Sequence, residues 1–265
     1  MIASVTVVTA DLDAAVSAYR DGVGLEPGAE HRTSGAPLPE LDGRRSVVLS
    51  GTGTGGVVHV VELPGARVPE PLTTFGWAAA EILVADADEA TERARDAGLR
   101  VLAEPRPVGA GGGLRAVQVA GPAGEALYLT QVDRAPEGFS LPRPRGPVGP
   151  VFIAVLAAED LETARGALEA RLPARRVTDH PLPVRALNAQ LGRPAGTLHR
   201  VSTLQLPDRC AVEVDQYPAD DPAVRAVRAR RSPYDGGIVA VTLRGDGPKR
   251  TWTVPGAGGA LIACT

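Results

Sequence analysis

The first polar and apolar positions of the chain follow a strand pattern and then a helix pattern. Residues 4–9 alternate between the two types, as a half-buried strand does. Four apolar residues then fall on one helical face, namely Leu12, Ala15, Val16 and Tyr19. Asp11 precedes them, where a carboxylate can accept hydrogen bonds from free backbone N–H groups, and Gly24 suits the helix end. The runs "RRSVVLSG" and "VVHVVELP" predict two further strands.

The same order of elements returns along the chain. A second copy has its capping residue at Asp86, in "DADEATERARDAG", and a third at Asp160, in "EDLETARGALEARL". A fourth begins at "GGIVAVTL" but leaves no room for a helix before "RTWTVP" and "ALIACT". The sequence therefore predicts an α+β protein of repeated βαβββ modules, the fourth of them truncated.

Three segments carry a resemblance to a known family: "VTVVTADLDAAVSAYRDGVGLE", "DADEATERARDAGLRVLAEP" and "GPAGEALYLTQ". They resemble the strand–Asp–helix–Tyr–Gly-Leu signature and the closing turn and strand of the vicinal oxygen chelate superfamily, the glyoxalase, bleomycin-resistance and extradiol-dioxygenase group. The family often has Asp where this chain has Gly121. The resemblance implies cup-shaped half-barrels, each built from two modules, with helices outside. It does not specify a reaction, because one fold hosts many activities.

The order of the modules suggests a domain division. Residues 1–133 are expected to form one pair of modules and one cup, and residues 150–265 a second pair. Residues 134–149, rich in Pro and Gly, are expected to be a linker, with Phe139 and Leu141 holding it to a domain surface.

Composition narrows the classes of partner. The formal charge is −3 and no basic stripe occurs, which argues against nucleic-acid binding through the phosphate backbone. Two cysteines make neither a disulfide framework nor a zinc knuckle. No apolar run has the length of a membrane helix, and no signal peptide is recognisable. We expect a cytoplasmic monomer or homodimer that binds a small molecule, without nucleic-acid or membrane partners.

The resemblance implies a divalent metal, held by a His on the first strand of a module and a Glu on the last. The first-strand position lies seven residues before each capping Asp and is occupied by Ser4, Ala79 and Ile153. Among the last-strand positions only Glu213 keeps a carboxylate. A metal site needs at least three converging donors, so the expectation is that no metal or other cofactor is bound.

Strand alternation places several polar residues on the inner faces of the cups. Ser4, His59 and Tyr128 are expected to converge in the first cup, with His59 and Tyr128 as an acid–base pair or Ser4 and His59 as a nucleophile and its base. Glu213 and Asp215 in "VEVDQY" form a carboxylate pair in the second cup, as a base of raised pKa or as one half of a structural ion pair. Five residues complete the predicted substrate contacts: Asn188, Gln190, Asp215 and the aromatic residues Trp77 and Trp252, beside which Tyr234 is a further aromatic candidate.

These candidates support three hypotheses about function. The first is a metal-independent isomerase, cyclase or lyase acting on a small, aromatic or polyketide-like metabolite, with His59, Tyr128 and Glu213 as catalytic residues. The second is a resistance or binding protein that sequesters a small molecule. The third is a lyase or dioxygenase that depends on a divalent metal held through Glu213. Turnover separates the first two, and metal analysis tests the third.

Overall fold

The computed structural model describes residues 1–108, 112–218, 235–245 and 249–265. Tyr234 lies outside these ranges. Helices occur at α1 (Leu12–Ala18), α2 (Ala87–Asp96), α3 (Leu161–Glu169) and α4 (Arg185–Gln190). The first eight strands are β1 (Ile2–Thr9), β2 (Glu26–Pro27), β3 (His31–Arg32), β4 (Arg45–Ser50), β5 (Val57–Glu62), β6 (Gly76–Val84), β7 (Val101–Val108) and β8 (Leu114–Ala120). The others are β9 (Ala126–Val132), β10 (Val148–Ala158), β11 (Arg176–Leu182), β12 (His199–Gln205), β13 (Ala211–Gln216), β14 (Gly237–Leu243), β15 (Arg250–Val254) and β16 (Ala260–Cys264).

All three predicted aspartate caps are present. The carboxylate of Asp11 accepts a hydrogen bond from the backbone N–H of Ala14, and that of Asp160 accepts one from Thr163. Asp86 accepts two, from Asp88 and Glu89. Each cap satisfies backbone donors that have no partner inside the helix, so the capping pattern in the sequence identified the helix starts correctly.

The two hydrogen bonds at Asp86 lead to a first prediction. Asp86→Ala should lower the free energy of unfolding by about 1 kcal/mol, because two donors of the first turn of α2 lose their acceptor. Urea denaturation measures the change. The matched control is Asp96→Ala at the exposed other end of the same helix, where a negative charge opposes the helix dipole and its removal should cost nothing. Equal destabilisation by both substitutions would contradict the capping role.

The strands form two sheets of eight. Sheet A has the order β15-β16-β14-β1-β5-β4-β2, with β3 beside β4, and sheet B has the order β11-β12-β13-β10-β6-β9-β8-β7. Sheet B is a curled half-barrel. The modular α+β fold is confirmed, and no helix separates β14 from β15 in the described part of the fourth module.

The predicted pairing of modules into cups is wrong. In sheet A the first module pairs with the fourth, through antiparallel β1 and β14. In sheet B the second pairs with the third, through antiparallel β6 and β10. Residues 1–133 therefore contribute to both sheets. The physical reason is that all modules share one inward–outward alternation, which sets the face of each strand but not its neighbour.

The hydrophobic core confirms the predicted strand faces. Val5, Val7 and Val58 of sheet A lie in one large cluster with Leu127 and Val212 of sheet B and with the inner faces of the helices. A second cluster lines the inner face of sheet B and includes Tyr128 and Tyr217. A smaller one lines the inner face of sheet A and includes Val8, Val61 and Leu41. The two sheets thus pack through their outer faces and leave two separate inner faces.

The segment predicted as a linker overlaps a strand at its end. Strand β10 already begins at Val148, within the predicted 134–149 segment. Leu141 is buried and Phe139 is partly buried, and both pack in the cluster on the inner face of sheet B. The segment thus covers part of that face, which matters for access to the polar groups there.

Candidate functional site

Three carboxyl groups lie on the inner face of sheet B. Glu81 is on β6, and Glu213 and Asp215 are on β13. Strand β10 runs between them, with Ile153 in register with both Glu81 and Ala211, and Val155 in register with Glu213. Neighbouring strands lie about 5 Å apart, so the carboxyls face one another across a single strand. We call these three residues the carboxyl cluster.

Two tyrosine hydroxyls accompany the carboxyl cluster. Tyr128 on β9 is in register with Glu81, and Tyr217 directly follows β13. Tyr128 is 6% exposed and Tyr217 0%. Within the described ranges, neither hydroxyl oxygen has a hydrogen-bond partner. A buried hydroxyl without a partner costs free energy, so these groups are suited to a partner that the described residues do not supply.

The carboxyls of the cluster differ in their contacts. Glu81 is 9% exposed and accepts a hydrogen bond of 2.9 Å from the hydroxyl of Thr130. Asp215 is 1% exposed, and its carboxyl lies close enough to that of Glu213 for the two groups to share a proton. Glu213 keeps some accessible surface, although protein surrounds it.

Burial keeps protons on the cluster near neutral pH. It raises the pKa of Glu81 to about 8, with a further contribution from the charge of Glu213. It raises the pKa of Glu213 to about 7, against the lowering effect of hydrogen bonds from Asp215 and Thr203. The pKa of Asp215 is also raised, by burial and then by the charges of Glu213 and Glu81. No arginine, lysine or histidine is among these causes, so no described residue supplies the cluster with a counter-charge.

Two segments cover the inner face of sheet B. The first is α4, whose residues Ala186 and Leu187 pack in the same cluster as Tyr128, and whose Ala186 N–H donates to the Gln118 side chain on β8. The second is the segment 139–141, whose Ser140 N–H donates to the Gln205 side chain on β12. Gln118 is in register with Tyr128, and Gln205 with Ala211, so both glutamine side chains lie on the inner face of sheet B. We call α4 and residues 139–141 the cover.

The inner face of sheet A carries His59, the histidine predicted to act as an acid or base. His59 on β5 is stacked on His31, with ring centroids 5.7 Å apart, and its Nε2 atom has no hydrogen-bond partner in the described residues. Burial lowers the pKa of His59 to about 4, with a smaller contribution from His31. Across the strand pair Thr6, not Ser4, is in register with His59. The imidazole is therefore neutral at pH 7 but has no bonded nucleophile.

The predicted convergence of Ser4, His59 and Tyr128 is wrong. Ser4 and His59 belong to sheet A, whereas Tyr128 belongs to sheet B. The inward orientation of each side chain was predicted correctly, but their common cup depended on the incorrect pairing of modules. The structure instead joins Tyr128 to Glu213 and Asp215, which the sequence pattern places in a different cup.

The two tryptophans lie away from both inner faces. Trp77 is 2% exposed in the core between the sheets, and its indole N–H donates to the Leu261 carbonyl at 2.8 Å. Trp252 is half-buried on β15, packs against the same core and lies under the Arg171 guanidinium, 5.0 Å from the ring centroid. Their predicted substrate contacts do not agree with these positions.

Asn188 and Gln190 lie on a helix rather than on a strand. The fully buried Asn188 amide donates to the carbonyls of Ala195 and Thr197, and its oxygen bonds His199 Nε2 at 2.7 Å. Residues two apart on a helix do not share a face, so strand parity cannot bring Asn188 and Gln190 to one site. Asn188 instead holds the loop after α4, and with it the cover.

The metal-ligand positions of the family do not fit a metal here. Ala79 and Ile153 have no donor atoms, and the cluster adds no imidazole or thiolate. No group of three or more His, Cys, Asp or Glu residues in the described ranges has a geometry that could hold a metal ion. We therefore derive no chemical step through a metal.

The open grooves on the surface lie elsewhere. The larger, of about 720 Å³, lies beside α2 and has a mostly acidic, solvent-exposed lining of Asp21, Asp88, Glu89, Glu92, Arg93, Asp96 and Ala97. The other, of about 310 Å³, lies near His180 and Arg200. Water solvates the exposed acids of an open groove, so they need no ligand. The covered inner face of sheet B is therefore the better candidate for a binding site. No helix in the described part of the chain is long and apolar enough to cross a membrane.

Sequence reasoning missed Glu81. Its strand, "GWAAAEILV", drew attention only at Ala79, where the family places a ligand. A single glutamate in an otherwise apolar and fully buried strand was the available signal. Alternation from Ala79 puts Glu81 on the same inner face, so strand parity applied to this residue would have found it.

Comparisons with known proteins agree with this architecture. Residues 1–128 match the model of the Glyoxalase/Bleomycin resistance protein/Dioxygenase superfamily. Glyoxalase I from Zea mays has a similar fold, with a TM-score of 0.63 and 14% identity over 99% of this chain and 91% of its own. A proposed dioxygenase from Bacillus subtilis gives 0.63 and 12%, over 99% and 84%. No curated protein matches the sequence. At such identities the structural likeness concerns the fold alone.

Proposed function

We propose, from the premise that this chain belongs to the glyoxalase, bleomycin-resistance and dioxygenase superfamily through residues 1–128, that its sheet B cup is a metal-independent acid–base site. The reaction is an isomerisation, cyclisation or lyase step on a small metabolite. The observation that carries the proposal is the convergence on one inner face of three carboxyls, those of buried Glu81 and Asp215 and of partly buried Glu213, with two tyrosine hydroxyls that have no partner among the described residues.

The carboxyl cluster supplies both an acid and a base near pH 7. Glu213, with a pKa of about 7, is ionised in part of the molecules and can remove a proton from a carbon next to a carbonyl group. Glu81, with a pKa of about 8, keeps its proton and can return one. When two carboxyls interact, their protons leave in separate steps. One carboxyl can then be ionised, as the base, while the other is still protonated, as the acid.

The tyrosines supply stabilisation of negative charge. The Tyr128 hydroxyl keeps its proton, because burial, followed by the charges of Asp215, Tyr217 and Glu213, raises its pKa well above the usual value. A protonated hydroxyl without a partner can donate to the oxygen of an enolate as charge develops there. The cover excludes water, which strengthens that hydrogen bond. His59 has no part in this step because it lies on the other sheet.

Hydrogen exchange at carbon tests the proposal across a range of possible substrates. The protein is incubated in D2O with a panel of small carbonyl compounds, and deuterium incorporation is measured by mass spectrometry. We expect catalysed exchange for at least one compound. Glu213→Gln should reduce it by at least about a hundredfold, as for loss of a general base, and Tyr128→Phe by about tenfold to a hundredfold.

His59→Asn is the matched control, since it alters a buried polar residue of the other cup and should leave exchange unchanged. Exchange that is equal in wild type and Glu213→Gln would overturn the proposal. Exchange that appears only on addition of a divalent metal, or metal that co-purifies in stoichiometric amount, would favour the metal-dependent hypothesis.

A binding protein that sequesters its ligand is the second candidate. The specific observation in its favour is the cover, which encloses the carboxyl cluster with α4 and residues 139–141 and ties both segments to the sheet. A tight enclosure prolongs the bound state but slows turnover. Ligand binding by wild type and Glu213→Gln alike, with no exchange by either, would support this candidate.

A further inference from the structure

The inner cup of sheet B has acidic groups, and no described residue gives them a counter-charge. Glu81, Glu213 and Asp215 face one another, and in the described residues no Lys or Arg donates to them. Arg200, on the neighbouring strand β12, is exposed and donates a hydrogen bond to Glu162 instead. Buried carboxyls without a counter-charge are costly, and proteins normally pair them.

The one imidazole on the same face of β12 does not neutralise the cluster. His199 is 6% exposed, and its Nε2 atom is engaged with the Asn188 side chain. Burial, and then the charge of Arg193, lowers its pKa, so it is uncharged at pH 7. Among the described residues, no cationic side chain therefore faces the carboxyls of the cup, and a ligand can supply that charge.

The two tyrosines point to a ligand independently of the acids. Tyr128 and Tyr217 are more than nine-tenths buried, their hydroxyl oxygens have no partner in the described residues, and Tyr128 is close enough to all three carboxyls to sense their charge. Each hydroxyl oxygen can accept a hydrogen bond from a bound donor. The cup therefore presents acceptors from β6, β9 and β13 to a common point.

The walls around this point are apolar. Phe75 and Phe152 are buried in the same cluster, with Leu72 and Val201, and the Phe75 ring lies 6.4 Å from that of Tyr217. Such walls fit the carbon skeleton of an organic molecule. An organic ammonium group matches the acceptors, because its N–H donors can point to several carboxylates at ordinary hydrogen-bond distances.

We infer that the ligand of this cup is a small organic cation, with a protonated amine between Glu81, Glu213 and Asp215 and an apolar or aromatic body against Phe75 and Phe152. This inference rests on the proposed function for the location of the substrate site and adds the chemical class of the substrate. A neutral or anionic ligand would leave the cluster without compensation.

The inference has a thermodynamic signature. At pH 7.5 the empty cup retains the proton of Glu81 in most molecules and that of Glu213 in a minority, since their pKa values are about 8 and about 7. A bound cation favours the ionised carboxylates, so binding expels protons. Affinity should therefore increase as pH rises from 6 to 8. Tyr128 and Tyr217 keep their protons over this interval, because their pKa values are raised well above the usual value, and His199 stays neutral.

Isothermal titration calorimetry provides the test. The probes are benzylammonium and cyclohexylammonium, with benzyl alcohol as the uncharged control of nearly the same shape. Titrations in phosphate and in MOPS, neither of which is a primary ammonium ion, give the number of protons released at pH 7.5. We expect binding of at least one ammonium ion with about one proton released, and at least tenfold weaker binding of benzyl alcohol.

Glu81→Gln and Asp215→Asn keep the shape of the cup and should each weaken ammonium binding by about tenfold or more, the effect of losing one charge-assisted hydrogen bond. His59→Asn, in the other cup, should bind as wild type does. Folding of each variant is verified by its thermal transition. Benzyl alcohol binding as tightly as benzylammonium, or no ammonium binding by the folded wild type, overturns the inference.

The two proposals fail separately. Ammonium binding with proton release, but without carbon–hydrogen exchange on any carbonyl compound, would retain the cation site and remove the catalytic function. Exchange that depends on Glu213 with uncharged compounds, together with no ammonium binding, would retain the function and remove the cation site.

Discussion

Glu81→Gln is expected to make the protein more stable at pH 9 by on the order of 3 kcal/mol and to reduce the fall in stability between pH 7 and pH 9 by on the order of 1 kcal/mol. The pKa of Glu81 is about 8 in the folded state, well above that of an unfolded glutamate. In this interval the folded state therefore binds more protons than the unfolded state, and the free energy of unfolding declines as pH rises. A glutamine cannot ionise, so it removes this loss.

The groups around Glu81 determine the pH window. Glu213 and Asp215 on β13 have raised pKa values and contribute in the same direction, Glu213 at lower pH. Tyr128 on β9 keeps its proton throughout, and Thr130 on the same strand is uncharged. His59 and His199, whose pKa values are lowered, act below about pH 6.5 and so outside the interval.

Urea denaturation at pH 7 and pH 9 measures the effect. The control is Glu137→Gln, an exposed glutamate near the cover, which should change stability at neither pH. If the wild type is equally stable at both pH values, or if Glu81→Gln keeps the full dependence on pH, the carboxyl cluster does not hold its protons as described. The cation site would then lose its proton-release signature as well.

Trp77→Ala is expected to lower the free energy of unfolding by about 4 kcal/mol. The indole is one of the largest fully buried side chains, and its N–H bonds the Leu261 carbonyl on β16, so it joins sheet B to sheet A. The alanine leaves a cavity and an acceptor without a donor. Trp77→Phe should cost less, about 1–2 kcal/mol, because most of the volume remains.

Trp252→Ala is the matched control, with an expected cost of about 1–2 kcal/mol, because that indole is only half-buried. Urea denaturation again gives the values, and ammonium binding by folded Trp77→Phe gives a second measurement. Full stability of Trp77→Ala combined with loss of ligand binding would show that the indole contacts the ligand, as the sequence-based hypothesis held.

The difference between the predicted and observed cups has a simple origin. Val5, Val7 and Val58 identified the outer faces of their strands correctly, because side chains alternate along a strand whatever its neighbour. The strands that pair with β1 could not be predicted from this alternation. β5 and β14 both flank it, and the second of these lies more than two hundred residues away in the sequence.

The same contrast, between a strand face that the sequence predicts and a neighbour that it does not, applies to single residues of the candidate site. Glu213 and Asp215 were predicted to point inward and do so, and Tyr128 was assigned the correct face of β9. Glu81 was missed because the family pattern directed attention to Ala79, two residues earlier. Asn188 was placed by strand parity in a segment that folds as α4, where its amide closes a loop.

By itself, the sequence determined the repeated module, the three aspartate caps, the face of each strand and the absence of histidine at the family's first-strand metal positions, because all of these depend on residues close together in the chain. Only the tertiary structure decided which modules share a sheet, and thereby brought Glu81 and Tyr128 of the second module to Glu213 and Asp215 of the third. The physical reason is that identical alternation makes the modules interchangeable in local pattern, whereas the choice between neighbours depends on packing over the whole molecule.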